Sequence, residues 1–174
     1  MSNLLENSER ILVLAPHCDD GELGAGGTIN KLAKLNKEIT YVAFSTARNS
    51  VPDNFPKNIL EKEVIEATNI LGIQNKNLIV FKYRVRELPK YRQDILEELI
   101  KLKSKSNYDL VLMPSLKDIH QDHLTIAKEG LRAFKDTSIL SYELLWNNFE
   151  FNANCFVSLS NENIQKKCES IKCY

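Results

Sequence analysis

The chain has 174 residues, of which 43% are hydrophobic and 26% charged, as in an ordinary soluble globular protein. Lysine plus arginine equals aspartate plus glutamate at 23 each, and this zero net charge argues against nucleic acid as the main partner, because phosphate binding requires a basic surface. No apolar run is long enough to cross a membrane, and the N-terminal residues do not resemble a secretory signal. The four cysteines show no zinc-ribbon spacing, so we expect a cytoplasmic protein with reduced thiols.

Strand-like and helix-like segments alternate along the first half of the chain. Apolar runs and a segment rich in β-branched and aromatic residues are typical of strands, and leucine and isoleucine at helical spacing separate them. Gly72 provides a natural helix C-cap. The predicted elements are a strand over 11–15, a helix over 21–36, a strand over 39–44, a helix over 58–71 and a strand over 78–81.

The same alternation continues through the second half. The predicted elements are a helix over 90–104, a strand over 110–113, a helix over 122–135, a strand over 138–145, a sixth strand over 155–159 and a polar helix from 161. This order implies an α/β fold, a Rossmann-like three-layer sandwich whose mostly parallel sheet is covered by helices on both faces. We interpret residues 1–174 as one domain.

A histidine and two adjacent carboxylates, His17, Asp19 and Asp20, follow directly after the first predicted strand. A loop leaving a strand can present His17 and Asp20 to one ion while Asp19 points elsewhere. A mixed histidine and carboxylate set suits Zn²⁺ and related divalent ions, and the carboxylate that does not bind the ion can act as a general base. The alternative is that the two aspartates only cap the helix that follows.

A second polar cluster, Asp118 to His123, follows the strand predicted over 110–113. If the two strands are parallel neighbours, both clusters meet at the sheet edge where open α/β folds place their ligands. One of His120 and His123 can then face an ion while the other faces a substrate, and Asp122 can hold a histidine in the required tautomer. Alone, the second cluster is more typical of an exposed polar loop than of a metal site, but the two clusters together predict a metal site.

Gly21, Gly24, Gly26 and Gly27 follow the first cluster at once. Their spacing matches neither the P-loop nor the dinucleotide-binding fingerprint. We therefore expect them to let the first long helix pack tightly on the sheet and its N-terminus approach a ligand.

Both clusters resemble the motifs of the PIG-L/LmbE-like family of zinc-dependent N-acetylglucosaminyl de-N-acetylases. The first family motif, His-x-Asp-Asp-x-x-Leu-Gly-x-Gly-Gly, is present at residues 17–27, and the second, His-x-Asp-His, at residues 120–123. The flanking strands also fit, and the resemblance extends over residues 10–160. It implies the LmbE-like form of the α/β fold.

The resemblance implies a metal-dependent hydrolase that removes the acetyl group from an N-acetylated amino sugar or sugar conjugate, by attack of water on the acetamide. Its cofactor would be Zn²⁺ or another divalent metal. By the same resemblance, His17, Asp20 and His123 would bind the metal and Asp19 would be the general base. His120 would stabilise the oxyanion or assist the leaving amine.

His120 lies three residues before His123, so we expect it to face the substrate rather than the ion. We also expect a carboxylate partner, of which Asp122 is the nearest in sequence, to raise the pKa of His120 and keep the imidazole cationic near neutral pH.

The chain departs from the family pattern in three places. Cys18 replaces a common proline, Gly21 replaces a common acid, and residues 83–87 stand where many members carry an acidic, glycine-containing substrate loop. Family members also commonly continue beyond the last predicted helix, so the chain is either a short member or one that lacks a C-terminal segment.

Three arginines, Arg48, Arg84 and Arg86, are candidate substrate-binding residues. Their forked guanidinium groups suit phosphate or carboxylate, which would fit an acetamido sugar that carries an acidic group. Each arginine taken singly is more typical of a plain exposed surface. The expected partner is this small molecule, and we expect neither a nucleic-acid partner nor a transmembrane segment. The sequence leaves open whether the chain forms a homo-oligomer.

Two alternative functions differ in what they require. Another metallohydrolase, such as a phosphoesterase, would usually need a second metal and more ligands than the sequence offers. A non-catalytic sugar-binding module on the same fold should have lost Asp19 or a ligand, and this chain has lost neither.

Overall fold

A five-stranded sheet, parallel throughout, forms the centre of the protein in a computed structural model that describes residues 2–150 and 152–174. The strands lie in the order β3-β2-β1-β4-β5, and every neighbouring pair is parallel. The parallel sheet predicted from the sequence is therefore confirmed. The strands are β1 (Arg10–His17), β2 (Glu38–Ser45), β3 (Leu78–Val80), β4 (Leu110–Pro114) and β5 (Ser138–Tyr142).

Helices cover both faces of the sheet. The α2, α3 and α6 helices contact one another on one face, and α4 packs against α5 on the other, which gives the three predicted layers. Within the described residues, no helix is both long enough and apolar enough to span a membrane. The helices are α1 (Ser2–Asn7), α2 (Asp20–Lys34), α3 (Ile59–Leu71), α4 (Arg92–Lys105), α5 (Gln121–Ala133) and α6 (Asn161–Ile171).

Alternate residues of β1 supply two separate cores. Ile11 and Val13 belong to the core under α2 and α3, whereas Leu12 and Leu14 belong to the core under α4 and α5. All four side chains are fully buried. A strand that is covered on both faces must be apolar at every position, which explains the unbroken apolar run in the sequence.

The sixth strand predicted over 155–159 is wrong. This segment forms no strand and runs beside α2 instead, where Lys31 Nζ donates to the carbonyl of Ser158 at 2.9 Å. Val157 packs against the core, and Leu159 fills the space left by the missing side chain of Gly27. The alternating pattern is therefore produced by packing on a helix rather than by pairing in the sheet.

The order of the strands determines where the two polar clusters meet. From β1 the chain builds outward to β2 and β3, then returns to place β4 on the other side of β1. This reversal makes the carboxyl ends of β1 and β4 a topological switch point, the place where open α/β sheets bind ligands. His17 ends β1, and the segment 115–123 follows β4.

Glycines of α2 allow close packing, and two of them give a matched test. A Cβ at Gly24 would lie 2.2 Å from the ring of Tyr142, whose hydroxyl donates to the Leu14 carbonyl at 2.8 Å. We expect Gly24→Ala to lower the free energy of unfolding by about 1–3 kcal/mol, because the anchored ring cannot move aside. Urea denaturation monitored by circular dichroism measures the change.

Gly26→Ala is the control for this prediction. A Cβ there would lie 3.1 Å from Cγ, 3.5 Å from Cβ and 3.7 Å from Cα of Lys167, so the contact is much looser than the one at Gly24. Because alanine is the better helix former, this variant should be neutral or more stable by up to about 1 kcal/mol. Equal losses in the two variants would contradict the packing argument.

Candidate functional site

Three donor atoms from the two clusters converge at the switch point. Asp20 Oδ2 lies 3.1 Å from His17 Nδ1 and 3.2 Å from His123 Nε2, and the two nitrogens are 3.2 Å apart. Donors bound at about 2.0–2.2 Å to one tetrahedral zinc ion are separated by roughly 3.3–3.6 Å. The three atoms therefore fit the ligand set of a single divalent ion.

A carboxylate holds the outer ring nitrogen of each of these histidines. Asp122 Oδ2 lies 3.0 Å from His17 Nε2, and Asp118 Oδ2 lies 2.8 Å from His123 Nδ1. Such bonds fix the tautomer and orientation of metal-binding histidines. Asp122 thus holds a histidine of the other cluster rather than its neighbour in sequence. Asp118 belongs to the same polar cluster but lies outside the His-x-Asp-His motif, so its role was not predictable from the motif.

The turn from β1 into α2 positions Asp20. Its Oδ2 atom accepts the backbone N–H of His17 at 2.8 Å, and the residue occupies the first turn of α2, where the helix dipole favours a negative charge. Burial alone would raise the pKa of Asp20, but hydrogen bonds from His123 and His17 outweigh it and hold the pKa well below its usual value. Asp20 is therefore ionised and available as a ligand.

Without a metal, the two histidines hold protons strongly. Burial lowers the pKa of His17, but hydrogen bonds to Asp122 and Asp20 outweigh it and raise the pKa to about 10. Asp118 and Asp20 act in the same way on His123, whose pKa rises to about 9. Carboxylates on several sides thus stabilise positive charge at this point, whether protons or a metal ion supply it.

Asp19 is placed differently from Asp20. It lines the open cleft beside the three donor atoms, and its side chain caps no N–H group in α2, all of whose residues are described. The structure therefore gives no support to capping as the role of Asp19. Burial and the charge of Asp20 raise the pKa of this carboxyl.

His120 is the N-cap of α5, and its Nδ1 atom accepts the backbone N–H of Asp122 at 3.1 Å. An imidazole that accepts at Nδ1 carries its proton on Nε2. The ring stacks on His123 with centroids 4.3 Å apart.

The prediction of a cationic His120 paired with the Asp122 carboxylate is wrong. Burial lowers the pKa of His120, and the positive charges of His123 and His17 lower it further. The Asp122 carboxylate, meanwhile, is bound to His17. Ring nitrogens of the three histidines also lie within 4.8 Å of one another, but the set that includes Asp20 is tighter.

The three predicted arginines occupy different places. Arg86 lines the cleft, which has a volume of about 410 Å³. Arg84 lies on the adjoining surface, where it forms an ion pair with Glu87 at 3.1 Å. Arg48 is exposed in the loop after β2 and is not among the residues that line the cleft. The structure therefore brings only Arg86 to the three donor atoms.

Asp122 also fixes the loop that carries Arg86. Its two oxygens accept the backbone N–H of Arg86 at 2.5 Å and that of Leu88 at 3.2 Å. Arg86 has a φ of 66°, a left-handed conformation that costs free energy in a residue other than glycine. One carboxylate therefore links the His17 ring to the loop bordering the cleft.

Sequence reasoning missed two aromatic residues of the cleft, Trp146 and Tyr174. Trp146 has 66% of its surface exposed. The Tyr174 hydroxyl donates to the Cys18 carbonyl at 2.8 Å and also lies 3.2 Å from buried Glu22, which the Tyr41 hydroxyl contacts as well. Their signal in the sequence was weak, because neither residue lies in a motif.

Cys18 is one of the residues that line the cleft, but its role there is structural. It is buried, and its Sγ lies 3.6 Å from the carbonyl oxygen of Ser45. Burial raises the pKa of the thiol, so it stays protonated and unreactive.

Known proteins resemble the chain over most of its length. The family model described as PIG-L, GlcNAc-PI de-N-acetylase, matches residues 12–134. Diacetylchitobiose deacetylase of Thermococcus kodakarensis is 28% identical over 134 residues, which cover 72% of this chain and 49% of that protein. The chain thus spans about half the length of this relative.

Two further alignments cover larger shares of this chain and of the matched protein. The uncharacterized deacetylase YaiS of Escherichia coli is 26% identical over 166 residues, covering 93% of this chain and 88% of that protein. The solved structure of N,N'-diacetylchitobiose deacetylase from Pyrococcus horikoshii superposes with a TM-score of 0.81 at 22% identity, covering 98% of this chain and 71% of that one. At this level of identity, the similarity to the solved structure supports the fold alone.

Proposed function

The chain belongs to the PIG-L family, and from this premise we propose that it is a metal-dependent hydrolase that removes the acetyl group from an N-acetylated amino sugar or sugar conjugate. The observation that carries the proposal is the convergence of His17 Nδ1, Asp20 Oδ2 and His123 Nε2 in a cleft that also presents the Asp19 carboxylate. The deacetylase relatives support the reaction type.

The proposed cofactor is one Zn²⁺ or another divalent ion, held by His17, Asp20 and His123. Two nitrogens and one carboxylate oxygen are a donor set that zinc accepts, with Asp122 and Asp118 orienting the rings. When bound, such an ion supplies Lewis-acid polarisation of the acetyl carbonyl and lowers the pKa of water.

Asp19 is the proposed general base. Its carboxylate faces the cleft and accepts a proton from the water that attacks the acetamide carbon. Because burial raises the pKa of Asp19, the carboxylate is a stronger base than an exposed aspartate. The same proton is then available for the amine that leaves, so acetate and a free amino sugar are the products.

His120 is the proposed donor to the developing oxyanion. A neutral imidazole with its proton on Nε2 donates a hydrogen bond without adding a second charge beside the metal ligands. This role differs from the cationic one expected from the sequence.

For substrate recognition, Arg86 and Trp146 are the proposed residues of the cleft wall. The indole of Trp146 offers a flat exposed face to a sugar ring, and the Arg86 guanidinium suits an acidic substituent. Arg84 is already paired with Glu87, and Arg48 does not line the cleft, so neither is proposed.

Acetate release is the experiment that tests this function. The metal-loaded protein is given N-acetylglucosamine, its methyl glycoside and diacetylchitobiose, with chelator-treated protein as the control. We expect acetate and free amine only with metal. Phosphate release from a sugar phosphate without deacetylation would favour the phosphoesterase, and binding without turnover would favour the sugar-binding module.

Metal binding should depend on pH, because His17 and His123 hold protons that the ion must displace. With pKa values of about 10 and 9 in the metal-free protein, both histidines lose protons on metal uptake at neutral pH. The apparent Zn²⁺ affinity should therefore rise from pH 6 to pH 9. Calorimetric titration in two buffers of different ionisation enthalpy measures the protons released, and an affinity independent of pH would contradict this reading.

A further inference from the structure

A second cavity adjoins the cleft. It has a volume of about 310 Å³ and shares three wall residues with the cleft, Ser50, Leu60 and Tyr174. The two cavities therefore adjoin at these shared residues.

The lining of this cavity is apolar, in contrast to that of the cleft. Among the described residues that line it, Glu63 is the only charged one and none is basic. Phe55 has 47% of its surface exposed. An exposed apolar concavity of this kind is typical of a ligand site. Its remaining lining residues are Val51, Pro52, Phe55 and Ile59.

The loop between β2 and α3 that forms the cavity has a defined shape. The Ser50 backbone N–H donates to the Ala47 carbonyl at 2.7 Å, where Ala47 has a left-handed φ of 45°. Lys57 Nζ donates to the Val51 carbonyl at 2.9 Å and to Asp53 at 2.8 Å. These bonds preform the cavity, which lowers the entropy lost on binding.

We propose that this cavity, the apolar subsite, binds an apolar substituent carried by the sugar of the substrate, such as an alkyl or aryl aglycone. The inference rests on the proposed deacetylase function. In that reaction the acyl group is only acetyl and stays at the donor atoms, so the group that fills the subsite belongs to the rest of the sugar. Glu63 disfavours an anion here, whereas Arg86 lies in the wall of the cleft itself.

The first test compares the methyl and butyl β-glycosides of N-acetylglucosamine. Burial of each methylene is worth about a factor of three to four, so kcat/KM should be at least tenfold higher for the butyl glycoside. Equal values for the two glycosides would overturn the proposal, while acetate release from both would leave the deacetylase function standing.

Variants then locate the effect. In Phe55→Ala the butyl-to-methyl ratio should fall to within about threefold of unity, because the subsite loses its aromatic wall. Phe156→Ala is the matched control, since Phe156 is 80% exposed and lines neither the cleft nor the subsite. A ratio that falls equally in both variants, or in neither, would overturn the proposal.

A binding measurement separates failure of the subsite from failure of the proposed function. Calorimetric titration of metal-loaded Asp19→Asn with each glycoside needs no turnover, and we expect tighter binding of the butyl glycoside. That result, with no acetate released by the parent protein, would uphold the subsite and refute the deacetylase. The last ligand tested is the methyl glycoside that carries an N-butyryl group in place of N-acetyl. If this ligand binds more tightly than the N-acetyl methyl glycoside, if the gain is lost in Phe55→Ala, and if the butyl glycoside shows no such gain, the cavity binds the acyl chain and the proposal is overturned.

Discussion

Replacing Asp19 with asparagine is expected to lower kcat by about 10²–10⁴-fold, the usual contribution of a general base. The change preserves shape but removes the atom that accepts a proton from water. Asp19 supplies none of the three converging donor atoms, so the metal content of the variant should be unchanged. Steady-state acetate release and elemental analysis of the same preparation measure the two quantities.

Asp136→Asn is the matched control, because Asp136 is an exposed acid outside the cleft. Its kcat should equal that of the parent protein. Turnover of Asp19→Asn within a few-fold of the parent would reject Asp19 as the base. Loss of metal from Asp19→Asn would make it a ligand instead.

His123→Ala is expected to abolish stoichiometric metal binding and, with it, turnover. The variant removes one of three donors, so the loss of affinity should exceed the ~10–100-fold that follows removal of a residue that only orients a ligand. Asp118→Asn, which affects only that orientation, should fall within this range. His120→Ala should keep the metal and lose most of its turnover.

Calorimetric titration with Zn²⁺ gives the metal affinities of His123→Ala, Asp118→Asn and His120→Ala. Far-UV circular dichroism checks that each variant is folded. Equal metal loss from His120→Ala and His123→Ala would show that His120 is a ligand, in favour of the three-histidine set. Undiminished binding by His123→Ala would reject the proposed metal site.

The fold was predictable where a pattern of apolar residues corresponds directly to burial in the structure. The apolar run 11–15 predicted a strand buried on both faces, and the structure confirms it in β1. At 155–159 the same kind of reasoning failed, since alternation shows that one face is buried but does not say against what. Here the buried face meets α2, and β5 is left at the edge of the sheet.

The meeting of His17, Asp20 and His123 was predictable because adjacent parallel strands bring their carboxyl ends together. Which carboxylate pairs with which histidine could not be predicted from the sequence. Asp122 is next to His123 in sequence, yet its side chain reaches His17 across the sheet edge. Side-chain direction at the start of α5 decides this pairing, and spacing along the chain carries no information about it.

The residues that would hold the ion come from distant parts of the chain, since His17 and His123 are 106 positions apart. An unfolded chain could present both only by closing a long loop, at a cost in entropy that native contacts have not yet offset. On the proposed metal assignment, an ion would therefore bind the folded state far more tightly than the unfolded chain, and would stabilise it in proportion to the logarithm of the free ion concentration. Because the proposed ligands follow β1 and β4, which pair in the sheet, such an ion would add its stabilisation only after these two strands have come together.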